Sequence, residues 1–139
     1  MKVILMKKNS CNKSLGTSYE KQLCEYLKSK GYWCFLTPYN PNGQPCDVIA
    51  IKRNKAFLMD AKHTSTHIFS FSNVRPNQAS CFEYANAVAE IRQTGFAIYS
   101  EATKDWRWLS FETLQALQKY SNASVAVEYL STLEKIICD

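Results

Sequence analysis

The sequence predicts a single α/β domain preceded by a basic arm, and three observations carry that expectation. Two apolar, β-branched runs, Cys46–Lys52 and Lys55–Lys62, are separated by Arg53 and Asn54 alone, the spacing of a two-residue hairpin. Stretches with apolar residues at helical spacing stand before and after that pair. The chain has 139 residues, 46% hydrophobic and 21% charged, which suits one domain with a real core and is short for two.

Taken in order, residues 1–15 read as a flexible arm carrying Lys7, Lys8 and Lys13, and residues 16–139 as the domain. A first helix is expected from Thr17 to near Gly31, with Tyr19, Leu23, Tyr26 and Leu27 on its apolar stripe and Gly31 as its C-terminal cap. Thr17-x-x-Glu20 has the form of a capping box, which by itself would account for the acid. Tyr32–Thr37 reads as a strand, and Pro38–Gly43 as a turn-rich loop that delivers the chain to Asp47. After the hairpin comes a stretch of alternating polar and aromatic residues in which His63 and His67 lack a third ligand for zinc. Pro76 suits the first turn of a second helix, with Phe82, Ala85, Val88, Ala89 and Ile91 as its buried contacts and Gly95 as its end. Phe96–Ser100 and Trp106–Leu109 read as strands around a turn at Thr103-Lys104-Asp105, and Ser110 caps a helix through about Lys119. A last helix is expected over Val125–Ile137, with Ala126, Tyr129, Leu130, Leu133 and Ile137 on one face, for core packing or for a dimer.

Composition narrows the function classes. The six cysteines, at 11, 24, 34, 46, 81 and 138, form no C-x-x-C pair and read as reduced thiols of a cytoplasmic protein. Val3–Met6 is too short for a signal-peptide core, and no later run approaches a membrane span, so no membrane partner is expected. A net charge of +5 suits an anionic partner without specifying one.

The chemistry concentrates in the hairpin. Pairing about Arg53 and Asn54 sets Val48 opposite Met59 and Asp47 opposite Asp60, with both carboxylates on one face. Lys62, two residues beyond Asp60, points to the same side. Asp47 and Asp60 interrupt the apolar runs CDVIAI and AFLMDA, where an unpaired acid is costly to bury. Two adjacent carboxylates repel each other, an arrangement that a divalent cation between them relieves. Hard oxygen ligands beside an ammonium group are what Mg²⁺-assisted phosphodiester hydrolysis requires, with Mn²⁺ as a possible substitute.

Asp47 followed by Asp60-Ala61-Lys62 resembles the PD-(D/E)XK nuclease signature, with Cys46 directly before the first aspartate. Gly16–Glu20, Gly43–Ile51, Phe57–Thr64, Asn77-Gln78 and Thr94–Ile98 together resemble Holliday junction resolvases of the RecU and archaeal Hjc type, over roughly positions 15 to 110. The resemblance implies a restriction-endonuclease-like αβββαβ core, a mixed central sheet flanked by helices, with extra C-terminal helices. It implies a homodimeric, Mg²⁺-dependent endonuclease that nicks opposing strands of a four-way junction in recombination and repair. Asp47, Asp60, the Ala61 carbonyl and Glu20 would hold the metal or its water, Lys62 would orient the attacking water, and Gln78 would fix phosphate or water. Lys7, Lys8, Lys13, Lys52, Arg53 and Arg75 are the expected DNA contacts. Two other readings stand beside this one: a restriction-like or repair nuclease acting on duplex DNA, and a non-cleaving nucleic-acid or partner-binding inhibitor on the same fold.

Overall fold

The hairpin forms as its turn length requires. In the computed structural model, which describes residues 11–38, 40–41, 46–89 and 93–138, with side chains from Ser18 onward, β2 (Val48–Lys52) and β3 (Lys55–Thr64) pair antiparallel. Lys52 faces Lys55 across the turn, and Val48 faces Met59 as the spacing predicts. Arg53 takes a positive φ of 56°, the conformation that tight hairpin turns demand. β1 (Trp33–Leu36) adds to the outer side of β2. β3 continues two residues past Lys62, because its far half finds a parallel partner in β5 (Gln93–Ser100) over Phe57 to Thr64. β6 (Asp105–Ser110) and the two-residue β8 (Ser131–Thr132) complete a six-stranded mixed sheet, ordered β1-β2-β3-β5-β6-β8.

Helices cover both faces. α1 (Cys11–Ser29) packs Leu23 and Leu27 against Val48, Ala50, Phe57 and Met59. α2 (Pro76–Val88) and α3 (Phe111–Lys119) enclose Phe82, Phe96, Ile98, Leu109 and Leu114 on the other side. β3 therefore alternates between layers, sending Phe57 and Met59 toward α1 and Leu58 toward α2. This is the restriction-endonuclease-like architecture that the resemblance implied.

Three expectations need correction. The first helix spans Cys11–Ser29 rather than beginning at Thr17, so Thr17 sits inside it and cannot be an N-cap. The proposed arm is thus helical from residue 11. At its other end the expected cap holds, with Gly31 at φ 90° and the Tyr32 N–H donating to the Leu27 carbonyl at 3.1 Å. Gly95 does not end α2; it lies inside β5, where a Cβ would come within 2.4 Å of the Leu109 carbonyl oxygen on β6. Val88 and Ala89, two of the expected buried contacts, are exposed, while Ile91 lies outside the described residues.

The third correction is the C-terminal segment, which is not one helix. It runs through β7 (Ser124–Ala126), a 3-10 turn at Val127–Tyr129, then β8 and α4 (Leu133–Ile137). Val127 and Leu130 are buried in the α2/α3 layer, whereas Leu133 and Ile137 are buried in the α1 layer. A straight helix presents one stripe to one layer, so the chain instead crosses the sheet edge in extended form, and Tyr129 is left 86% exposed. Thr132 then caps α4 by accepting a hydrogen bond from the Lys135 N–H. β7 pairs with β4 (Ile68–Ser70), which lies in the stretch of alternating polar and aromatic residues after the hairpin, in a small second sheet.

Candidate active site

At the end of the hairpin remote from its turn, Asp47 and Asp60 stand side by side, as register requires. Asp47 immediately precedes β2; its N–H donates to the Met59 carbonyl at 3.0 Å, and its Oδ2 accepts from the Ala61 N–H at 2.9 Å. Thr37 at the end of β1 secures this position from the other side. Its N–H donates to the Asp47 carbonyl at 3.0 Å and its hydroxyl to the Cys46 carbonyl. Sequence reasoning placed Thr37 in a strand and assigned it nothing more.

Asp60 is 1% exposed. Its Oδ2 accepts from Gln78 Nε2 at 2.6 Å and lies 3.2 Å from Lys62 Nζ. Its Oδ1 is buried and has no hydrogen-bond partner among the described residues. A carboxylate oxygen in that position is expensive to leave unmet, since native interiors pair nearly all such atoms.

Gln78 ties the site to α2. Its Oε1 accepts from Lys62 Nζ at 3.3 Å and from the Arg75 N–H at 3.0 Å, while its Nε2 serves Asp60. With both donors on Oε1 and the acceptor on Nε2, the amide has one consistent orientation. It holds the acid and the lysine in register and half-caps the helix.

Glu20 reaches the same place from α1 and shares a hydrogen bond with Asp47. Because Thr17 is no N-cap, the capping explanation for Glu20 falls away. Burial, with the charges of Asp47 and Asp60 beside it, raises the Glu20 carboxyl to about 8. Burial and Asp47 raise Asp60 to about 7, against the opposing pull of Lys62. Three acids crowd one cation, and protonation relieves the excess negative charge when nothing else does.

These side chains line an open cleft of about 310 Å³, together with Arg75, the Ala61 backbone, Asn40, Pro41 and Asn77. Asn40 and Pro41 belong to the loop that delivers the chain to Asp47, and Asn77 adjoins Gln78; chain adjacency was the signal that could have singled them out. Of the other expected DNA contacts, Lys7 and Lys8 lie outside the described residues, and Lys13 is on α1 with its side chain likewise outside them. Lys52 and Arg53 are at the turn, roughly 20 Å along the strands from Asp47. Lys52 Nζ is engaged there, donating to the Lys30 carbonyl at 2.9 Å and lying 5.4 Å from the centre of the Tyr32 ring. His63 and His67 turn to different partners, Glu101 and Glu128.

Among the described residues no three His, Cys, Asp or Glu side chains already form a ligand cluster. The donors around the orphaned Asp60 Oδ1 fit Mg²⁺ nonetheless: carboxylate and carbonyl oxygens in an open cleft, which leave room for water and phosphate. They do not suit zinc, which favours nitrogen and sulfur.

The fold has counterparts among solved structures. No family model and no curated protein matches the sequence. Among solved structures, Hjc, a Holliday junction resolvase from the hyperthermophilic archaeon Archaeoglobus fulgidus, superposes with a TM-score of 0.69 at 13% identity, covering 88% of this chain and 99% of that one. D212, a nuclease from a fusselovirus, superposes with a TM-score of 0.56 at 13% identity, covering 96% of this chain and 92% of that one. Among the described residues no helix is long and apolar enough to cross a membrane.

Proposed function

We propose that this protein is a Mg²⁺-dependent endonuclease that hydrolyses DNA phosphodiester bonds, with four-way junctions as its substrate and a homodimer as its working form. The observation that carries the hydrolytic reading is Asp60, buried beside a second aspartate and a lysine in the lining of an open cleft, with its Oδ1 left without a hydrogen-bond partner among the described residues. Asp47, Asp60 and the Ala61 carbonyl would hold the ion, with Glu20 as a further ligand or holder of its water. A bound Mg²⁺ would supply Lewis-acid polarisation of the scissile phosphate and a more acidic water.

The side chains divide the remaining work. Lys62, steered by Gln78 and Asp60, presents its ammonium to the attacking water and offsets the charge that develops on the phosphate oxygens. Arg75 and Asn77, at the start of α2, line the cleft where the flanking phosphate would lie, so Arg75 serves as a backbone contact that positions without reading bases. Attack on phosphorus with departure of the 3′ oxygen leaves 5′-phosphate and 3′-hydroxyl ends.

The junction preference follows from symmetry. One site cuts one strand, so opposed nicks require two sites about a twofold axis. Incubation with Mg²⁺ and labelled junction, linear duplex or single-stranded DNA tests both levels. Opposed nicks placed symmetrically about the branch point, from a dimer, are expected. Equal cutting of linear duplex would overturn the junction reading and leave the nuclease, and no cutting of any DNA would overturn the nuclease.

A further inference from the structure

Back to back with the cleft, on the α1 face of β3, a second cluster joins three elements. The Tyr19 ring stacks on the His63 imidazole with centroids 4.5 Å apart and planes inclined by 20°, and Tyr99 of β5 lies against the same tyrosine at 5.9 Å. His63 Nε2 is 2.6 Å from Glu101 Oε2, and Glu101 also hydrogen-bonds the Tyr19 hydroxyl. The Glu101 N–H donates to the Thr64 carbonyl at 3.0 Å, which fixes the acid to the end of β3.

We infer that Tyr19, His63 and Glu101 are positioning residues, a clamp that sets the Glu20 carboxylate against Asp47 and thereby sets the metal affinity of the cleft. The inference rests on the proposed metal site. Tyr19 directly precedes Glu20 on α1, and His63 directly follows Lys62 on β3. Alternation along the strand sends Lys62 to the cleft and His63 to the clamp, so α1 is pinned to β3 one residue from each of two site side chains.

A restraint is needed there because burial and the charges of Asp47 and Asp60 disfavour the ionised Glu20 carboxylate that a metal would need beside them. The next buried contact of α1 is Leu23, a turn further along. The clamp is a poor candidate for mere stabilisation. Its His63–Glu101 contact is partly open to solvent, with side chains 26% and 46% exposed, and such exposed contacts add little to folding. Orienting a ligand is what partners beyond the ligands themselves do, and their loss weakens metal binding by about 10–100-fold.

The test is a titration of the metal-free protein with Mn²⁺, read as the loss of the free-ion paramagnetic resonance signal, on wild type, His63→Ala, Glu20→Gln and the double variant. His63→Ala should weaken Mn²⁺ binding by about tenfold, and the double variant should bind no more weakly than Glu20→Gln alone, because the clamp acts through Glu20. Wild-type affinity in His63→Ala, or losses that add in the double variant, would overturn the clamp. Should His63→Ala fail to fold, Glu101→Ala, at a more exposed position, takes its place, with at least about a threefold loss expected that vanishes in the Glu20→Gln background. Asp60→Asn separates the two levels. Wild-type binding that Asp60→Asn abolishes and His63→Ala leaves alone removes the clamp only, whereas a wild type that binds no Mn²⁺ removes the metal site and the clamp with it.

Discussion

The two ends of one hairpin carry opposite charge in opposite conditions. At the cleft end, Asp47 and Asp60 are buried and crowded by Glu20, and Asp60 Oδ1 has no hydrogen-bond partner among the described residues. At the turn end, Lys52, Arg53 and Lys55 are solvated or half-solvated, and Lys52 is satisfied by a backbone carbonyl and a tyrosine ring. The strands are the same and the turn fixes both ends equally. The cost of keeping each charge where it is differs. A buried, mutually repelling pair persists against its own electrostatics and so points to a ligand that relieves it, whereas an exposed lysine costs almost nothing and points to none.

The largest expected effect breaks the cleft end. Asp60→Asn should reduce cleavage by about a thousand-fold or more while DNA affinity holds or rises, since a negative charge next to phosphate is gone. A gel-based cleavage assay with parallel binding measurements checks it, and retained cleavage would remove Asp60 from the site. Lys62→Ala follows, with a loss of roughly a hundred- to a thousand-fold and an unaltered far-ultraviolet spectrum.

A pH series sharpens the contrast without a mutation. Glu20 at about 8 and Asp60 at about 7 both hold their protons more tightly folded than unfolded, where acids of these types titrate near 4.5 and 3.8. Between those limits the folded state binds more protons, so unfolding free energy falls as pH rises. The stabilising contribution is complete below about pH 4 and is lost as pH climbs through 7 and 8. Metal-free melting temperature should therefore decline from pH 5 to pH 8.5, and Mg²⁺ should raise it more at the upper end, where it no longer displaces protons. A metal-free melting curve that is flat with pH would mean that the acids are not crowded as described.

The smallest effect is expected at the other end of the hairpin. Arg53→Ala should change cleavage by less than about threefold, because the turn stands a strand's length from the cleft. A larger fall, accompanied by a shallower dependence of affinity on salt, would return the turn to the DNA-binding surface.

Much of the fold was legible because its governing distances are short. A two-residue turn allows one register, so Val48 opposite Met59, and hence Asp47 beside Asp60, is legible in the sequence alone. Ser110 capping α3 and Gly31 closing α1 were legible for the same reason: each acts on backbone groups within a few residues of itself. Where the reading failed, local signals competed with distant ones. Val125–Ile137 has helical spacing, yet its apolar residues serve two layers on opposite sides of the sheet. Thr17-x-x-Glu20 has the pattern of a cap, yet the helix already runs through it.

By itself, then, the sequence determined the hairpin, its paired acids and the lysine beside them, since side-chain alternation and turn length are properties of adjacent peptide units. Tertiary structure alone decided that Gln78 would hold Asp60 and Lys62 from 18 and 16 residues away, and that β5 would lie parallel to β3. It also decided that Glu101 would meet His63 across 38 residues. Such contacts depend on how whole layers pack, and no local pattern encodes the distance between residues that only the folded core brings together.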